Sequence, residues 1–241
     1  ACSVYGAEPE RIALESSSLN EVPAFTETSD ARAEGLKSLY YDGPLYKGNP
    51  TKVFAYYGCP KLEKGMKAPA VLLVHGGGGT AFSEWVNLWI KEGYAALAID
   101  CCGNIPVKSS TGSWQRNLAG GPPNECLDQL DIALAHLKEP LQDQWPYYTV
   151  NAIARARTLL GSFPEVDNGK IGIAGISWGG YLTCISAGLD KRYAFAVPVY
   201  GCGFLSEDSG WLATLKQPGM ERWSSLFDPS VYLPGVSAPV F

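Results

Sequence analysis

Short apolar runs separated by segments of helical periodicity form the dominant pattern of this chain. The runs occupy residues 70–74, 94–100, 171–176 and 193–200. Near-continuous apolar character over so few residues is typical of strands that are covered on both faces. Residues 81–94, which begin after the first run, place large apolar side chains at helical intervals. This alternation of strands and helices predicts an α/β fold, with a mostly parallel sheet and helices on both faces.

The pattern is different towards the start of the chain. Residues 1–35 carry scattered charges and little periodicity, so we expect an irregular lead-in before a single domain at residues 36–241. Aromatic and β-branched residues at 36–41 and 51–57, separated by Gly, Pro and Asn, predict an antiparallel pair of strands that extends one edge of the sheet.

The remaining segments complete the predicted order. Residues 147–160 have helical spacing, residues 126–138 and 211–226 are also expected to contain helices, and residues 237–241 resemble the opening of one more apolar strand. Residues 101–123 are rich in Gly, Pro, Ser and Asn. An excursion this long at the carboxyl end of a strand is typical of the wall of a binding site.

Composition excludes several classes of function. Hydrophobic residues make up 46% of the 241 residues and charged residues 18%, as in an ordinary globular chain. The net charge of −5 and the lack of a Lys/Arg cluster give no electrostatic basis for binding nucleic acid. No apolar run approaches the length of a membrane span. The seven cysteines have no metal-like spacing, and we expect neither a metal nor another cofactor.

The first residues are Ala1-Cys2-Ser3. A small residue before a cysteine is the order left where a lipoprotein signal is processed, which favours an extracytoplasmic location, secreted or periplasmic. A chance cysteine explains the same residues more simply, and no recognisable signal peptide is present.

The third apolar run ends in the motif G-x-S-x-G at residues 175–179, and a helix-compatible apolar run follows at residues 181–187. Strand, sharp turn and helix are the context of a nucleophile elbow, in which a strained turn exposes the serine above the sheet. The flanking glycines provide the room that such a turn needs. We therefore predict that Ser177 is a nucleophile; the alternative is a glycine-rich turn that contains Ser by chance.

A second glycine-rich turn, HGGGG at residues 75–79, follows the first apolar run. Its backbone N–H groups are unobstructed by Cβ atoms, and together with the N–H of Trp178 they could hold the oxyanion of a tetrahedral intermediate. The alternative is a phosphate-binding loop. This turn lacks the G-x-G-x-x-G register, and it lacks the Lys and Ser/Thr of a P-loop.

These motifs together resemble the α/β-hydrolase superfamily, and more narrowly its acetyl xylan esterase, dienelactone hydrolase and prolyl-oligopeptidase-like branch. The segments that carry the resemblance are VHGGGG at 74–79, YAALAID at 94–100, GISWGGY at 175–181 and FAVPVYGCGF at 195–204. The resemblance runs from about residue 36 to the last residue. It implies Ser177 as nucleophile and the N–H groups of Trp178 and of Gly76 or Gly77 as oxyanion hole. It also implies an Asp and then a His after the serine.

The sequence does not contain that histidine. Its two histidines are His75 and His136, and neither follows Ser177. A serine hydroxyl is a poor nucleophile unless a base accepts its proton. His75 lies in the glycine turn, where the resemblance implies a structural role. We expect the carboxyl-terminal strands of the fold, which would carry the acid and the histidine, to be missing from this chain.

Other candidate residues are less specific. Asp208 is the fallback acid because it follows the 193–200 strand, whereas Asp190 and Asp228 are typical caps of helices or turns. Trp114, Gln115 and Trp145 are the candidate substrate-binding residues, with Arg116, Tyr147 and Tyr148 in the same segments. Aromatic faces suit sugar rings, but the same side chains could simply pack a helix against the sheet.

The sequence predicts a serine esterase that hydrolyses a carboxylic ester without a metal and removes acetyl groups from a carbohydrate. Its partner would be a small-molecule or carbohydrate ester. One alternative is a peptidase of the prolyl-oligopeptidase type, although the lead-in is too short for the additional domain that such peptidases usually carry. The other alternative is a non-catalytic binding protein of the same fold, which applies if the chain is full length.

Overall fold

A computed structural model describes residues 10–124 and 127–241 of the chain. The Ala1-Cys2-Ser3 start lies outside the described residues. The strands are β1 (Phe25–Glu27), β2 (Lys37–Asp42), β3 (Lys52–Gly58), β4 (Ala68–Val74), β5 (Ala95–Ile99), β6 (Asn104–Lys108), β7 (Trp114–Arg116), β8 (Val166–Ile176) and β9 (Ala196–Val199). The helices are α1 (Ser16–Asn20), α2 (Ser83–Lys91), α3 (Leu130–His136), α4 (Trp145–Ser162), α5 (Trp178–Leu189), α6 (Leu212–Leu215) and α7 (Glu221–Phe227).

Seven of the strands form one sheet in the order β1-β2-β3-β5-β4-β8-β9, and β6 and β7 form a separate hairpin. The four strands β5, β4, β8 and β9 pair in parallel. Strand β2 pairs antiparallel with both β1 and β3, and β3 joins β5 in antiparallel pairing. The antiparallel pair predicted at residues 36–41 and 51–57 is therefore confirmed. The chain has the predicted α/β fold.

Strand β4 shows why the central strands are apolar on both faces. Leu72 packs in a core cluster that includes Ile153 of α4 and Ile185 of α5. Leu73, the next residue, packs in a second cluster with Val86 of α2. Because successive side chains of a strand point to opposite faces, this alternation places α4 and α5 on one face of the sheet and α2 on the other. The predicted two-sided cover of helices is confirmed.

The expectation of an irregular lead-in is wrong for residues 10–35. This segment contains α1 and β1, and it is attached to α4 by hydrogen bonds from its backbone. The N–H of Glu15 donates to Oδ1 of Asn151 at 2.8 Å, and the carbonyl O of Ser18 accepts from Oγ1 of Thr158 at 2.9 Å. Ile12 is 2% exposed and belongs to the core. This attachment depends on single polar side chains of α4, a helix that is distant in sequence. The segment itself therefore has no periodic pattern from which its structure could be predicted.

Two later segments refine the prediction from the sequence. Residues 101–123 contain the β6–β7 hairpin, and Arg116 ties this excursion together by donating to the carbonyl oxygens of Cys102 and Gly121. The expected strand at residues 237–241 is present as one parallel bridge between Val240 and Ala196 of β9.

None of the helices among the described residues combines the length and the apolar character that crossing a bilayer requires.

The two-sided burial of β4 generates a stability prediction. Leu72 has 0% exposure at the centre of the sheet, so we expect Leu72→Ala to lower the free energy of unfolding by about 2 to 5 kcal/mol. Leu88→Ala is the matched control, because Leu88 is 58% exposed on α2 and should change stability by no more than about 0.5 kcal/mol. Urea unfolding curves of both variants measure the difference, and equal midpoints would contradict the assigned core.

Candidate active site

Ser177 is exposed at the carboxyl end of β8, immediately before α5. Its backbone has φ 56° and ψ −120°, a conformation that residues other than Gly rarely adopt. Its N–H donates to the carbonyl O of Val199 at the end of β9 (2.8 Å), and its carbonyl O accepts the N–H of Tyr181 (2.9 Å). The strand, strained turn and helix that were predicted around Ser177 are therefore present, in the geometry of a nucleophile elbow.

Three glycines bring the backbone of this elbow against its neighbours. A Cβ atom at Gly175 would lie 2.1 Å from the carbonyl O of Gly179, and a Cβ at Gly179 would lie 2.0 Å from the carbonyl O of Val74. A Cβ at Gly180 would lie 2.5 Å from the carbonyl O of Val199. No side chain fits at such distances, so the elbow requires glycine at all three positions. The contacts bring the carboxyl ends of β4, β8 and β9 together.

The turn at residues 75–79, which we call the glycine loop, lies directly against the elbow. A Cβ atom at Gly76 would be 3.1 Å from Cβ of Ser177, and a Cβ at Gly77 would be 2.7 Å from Cδ1 of Trp178. Because these two residues carry no side chains, their main chain lies against Ser177 and Trp178. The structure thus brings Gly76, Gly77 and Trp178, the predicted oxyanion-hole residues, to Ser177. An oxyanion needs backbone amides close to the nucleophile, so this role stays a prediction that the arrangement supports.

The side chain of His75 fastens the glycine loop to the neighbouring strand. It is 2% exposed, and its Nε2 accepts the N–H of Cys101, just beyond β5, at 2.8 Å. Since Nε2 is an acceptor, the ring proton lies on Nδ1, which donates to the carbonyl O of Gly76 at 2.6 Å. Both ring nitrogens are occupied in holding the loop. The structural role expected for His75 agrees with these contacts.

The turn after β5 supports this anchor. Oδ2 of the buried Asp100 accepts the N–H groups of Cys102 (2.9 Å) and Asn104 (2.8 Å), which closes the turn. The thiols of Cys101 and Cys102 are also buried, and burial raises the pKa of each well above its ordinary value. A raised pKa keeps a thiol protonated and unreactive. These cysteines therefore do not compete with Ser177 as nucleophiles.

Tryptophan side chains surround the residue that follows the serine. The ring of Trp178 lies edge-to-face on Trp145 at 5.3 Å between centroids and stacks on Trp211 at 4.6 Å. Trp145 is 3% exposed, and its Nε1 donates to the carbonyl O of Cys101 at 2.7 Å. It thus packs beside Trp178 with little exposed surface, and its role in substrate binding stays a prediction. Trp211, which the sequence placed only in a helical segment, is half-buried and is the stacked partner of Trp178.

The excursion after β5 contributes the other predicted wall residues. Nε1 of Trp114 donates to the carbonyl O of Gly78 at 2.9 Å, so this indole borders the glycine loop. Gln115 is exposed in β7, opposite Ile105 of β6. Trp114 is therefore brought to the candidate site through a contact with the loop, whereas Gln115 lies on the hairpin itself.

Comparison with known proteins places this site in a family. The sequence profile of the acetyl xylan esterase family (AXE1) matches residues 15–210, which is most of the chain. The chain belongs to the acetyl xylan esterase family. Acetyl esterase Axe7A of Xylanibacter ruminicola is 26% identical over an alignment of 197 residues that covers 78% of this chain and 42% of that protein. The chain thus spans less than half the length of that curated relative.

Solved structures show that the fold is shared. The acetyl xylan esterase from Paenibacillus sp. R4 superposes with a TM-score of 0.65 at 20% identity, covering 96% of this chain and 79% of that one. Acetyl xylan esterase 1 from Thermoanaerobacterium sp. JW/SL YS485 gives a TM-score of 0.62 at 16% identity, with the same coverage of 96% and 79%. At these identities the likeness concerns the fold alone.

The acid candidates of this acetyl xylan esterase family member differ in their surroundings. The carboxylate of Asp228 is buried and accepts the N–H groups of Phe204 (2.9 Å), Leu205 (2.7 Å) and Ser230 (2.8 Å), so it organises the segment after β9. Asp208, the fallback acid, is exposed in that same segment. The capping role expected for Asp228 agrees with its contacts, and the role of Asp208 stays a prediction.

An apolar groove of about 490 Å³ begins beside the elbow of this family member. The groove is lined by Ile176, which precedes the serine, and by Val199, whose carbonyl accepts the serine N–H. Phe82 and Leu88 also line it.

Among residues 10–124 and 127–241, no group of three or more His, Cys, Asp or Glu side chains is placed to hold a metal ion.

The glycine contacts generate a second prediction. Gly175→Ala places a methyl group on the backbone of Gly179, so we expect it to lower the free energy of unfolding by about 1 to 3 kcal/mol or more. The control is Gly210→Ala, because a Cβ there meets nothing within 4 Å. Thermal and urea unfolding of both variants measure the effect. A Gly175→Ala protein as stable as the control would show that the elbow is not packed in this way.

Proposed function

We propose that the complete protein is a serine esterase that removes acetyl groups from a carbohydrate. The observation that carries this proposal is the exposed Ser177 at φ 56°, in contact with a glycine loop that has no side chains between it and the serine. Membership of the acetyl xylan esterase family supports the acetyl ester as substrate. The named esterases among its relatives support the same class of reaction.

In the proposed mechanism Oγ of Ser177 attacks the acetyl carbonyl carbon. Negative charge then develops on the carbonyl oxygen, and the amides of Trp178 and of Gly76 or Gly77 stabilise it. Each such donor contributes on the order of 3 kcal/mol to transition-state stabilisation. The sugar hydroxyl leaves, and water releases acetate from the acyl-enzyme.

The proton of Ser177 needs a base. Within residues 10–124 and 127–241, no side chain forms a hydrogen bond with Oγ of Ser177. Both ring nitrogens of His75 hold the glycine loop. His136 lines a separate cavity near the start of α4, together with Gln144 and Trp145. The proposed mechanism therefore depends on a base that the described part of the chain does not bring to Ser177.

Substitution of the nucleophile tests the proposal. In the complete protein, we expect Ser177→Ala to lower the release of acetate from acetylated xylan, and of p-nitrophenol from p-nitrophenyl acetate, by at least about 10⁴-fold. Ser225→Ala is the matched control, because Ser225 is exposed on α7 and its Oγ donates only to the carbonyl O of Arg222.

Each result of this assay has a defined meaning. Unchanged hydrolysis in Ser177→Ala would remove Ser177 from the mechanism. Faster cleavage of an N-acylated peptide than of the acetyl ester by the wild-type protein would favour the peptidase alternative. No hydrolysis of either substrate by the complete wild-type protein would favour a non-catalytic binding protein.

A further inference from the structure

A cavity of about 170 Å³ lies between the segment that follows β2 and the start of α4. We call it the Tyr46 cavity. Its walls combine apolar and hydrogen-bonding side chains, and those used below are Tyr46, Pro122, Glu139, Asp143, Gln144 and Trp145. Neither the proposed chemistry at Ser177 nor the packing of the sheet accounts for these polar groups.

Gln144 lines this cavity with a side chain that is almost fully buried. The side chain is 3% exposed, and its Nε2 donates to the carbonyl O of Glu139 at 2.8 Å. Among the residues that the structure describes, its Oε1 accepts no hydrogen bond. A hydroxyl group of a ligand in the cavity would supply that missing donor.

Two carboxylates add further acceptors on the same wall. Oδ1 of Asp143 accepts the N–H of Lys47 at 2.7 Å, which leaves its second oxygen for another donor. Glu139 lies 3.5 Å from Nζ of Lys47, and both side chains are about half exposed. The two carboxylates disfavour an anionic ligand, and the ammonium of Lys47 disfavours a cationic one. A neutral molecule rich in hydroxyl donors satisfies these groups best.

The Tyr46 cavity adjoins the candidate active site. Trp145 lines the cavity, and its ring also contacts Trp178, the residue after the nucleophile, at 5.3 Å between centroids. On another side, Pro122 lines the cavity, and Nδ2 of the nearby Asn124 lies 3.8 Å from the position of a Cβ at Gly77. The cavity and the glycine loop are therefore bordered by the same short segments.

We propose that the Tyr46 cavity is a subsite for a neutral sugar unit of the carbohydrate whose acetyl ester reaches Ser177. This inference rests on the proposed function and deepens it. The apolar surfaces of Tyr46, Pro122 and Trp145 contact the C–H groups of the sugar ring. Its hydroxyl groups donate to Gln144 Oε1 and to the carboxylates of Glu139 and Asp143.

Direct binding of an unacetylated sugar tests the subsite without any ester chemistry. Isothermal titration of xylotriose into the complete protein should show saturable binding. Glu139→Ala and Asp143→Asn should each weaken it by about 5- to 10-fold, because each loses a hydrogen bond to a charged acceptor. Asp143→Asn keeps an oxygen for the N–H of Lys47, and circular dichroism checks that both variants fold. The matched control is Glu63→Ala, an exposed glutamate in the connection between β3 and β4.

The outcomes separate this proposal from the proposed function. Absent binding at millimolar xylotriose, or equal dissociation constants in all four proteins, would overturn the subsite even if acetate is released from acetylated xylan. Binding that both cavity variants weaken supports the subsite even if no ester is hydrolysed. Tighter binding of glucuronate than of xylose would overturn the inference that the ligand is neutral.

Discussion

The site depends on a backbone-to-backbone contact in which Gly179, in the first turn of α5, lies against the carbonyl oxygen of Val74 at the end of β4. A single methyl group at this position would push the helix away from the sheet. Gly175 and Gly180 make contacts of the same kind with the helix itself and with β9. Because α5 lies this close to the sheet, the strained turn at Ser177 lies beside the glycine loop. The position of Ser177, the proposed nucleophile, is thus determined mainly by where side chains are absent.

A loop made of glycines has little conformational preference of its own, so its shape must come from neighbouring groups. Here His75 ties the start of the loop to the turn after β5, and Trp114 holds the carbonyl of Gly78. These bonds are made by buried or half-buried side chains and do not depend on substrate. The shape of the glycine loop is therefore set without a substrate. In the proposed mechanism its amides are in place before a substrate binds, which is the condition under which hydrogen-bond donors stabilise a developing charge most effectively.

The parts of this structure that could be predicted from the sequence are those carried by contiguous residues. Strands β4 and β5 and residues 171–176 of β8 are apolar runs, and the elbow and the glycine loop are short motifs with a known geometric requirement. The attachment of residues 10–20 to α4 could not be predicted, because it rests on single hydrogen bonds across a long separation. The same reason applies to Trp211, which reaches Trp178 only through tertiary packing. The sequence left two interpretations of Trp145 open; its contacts show that it packs against Trp178, and its role in substrate binding stays a prediction.

The contacts of His75 also explain why this histidine cannot serve as the base that activates Ser177. To accept the proton of Ser177, a ring nitrogen must have a free lone pair, and Nδ1 already carries the ring proton. Nε2 has the lone pair, but it is engaged with the N–H of Cys101. A rotation that freed Nε2 would release the glycine loop from the turn after β5 and displace the amides proposed to stabilise the oxyanion. One imidazole therefore cannot both order this loop and activate Ser177, and the proposed catalysis requires a second basic group.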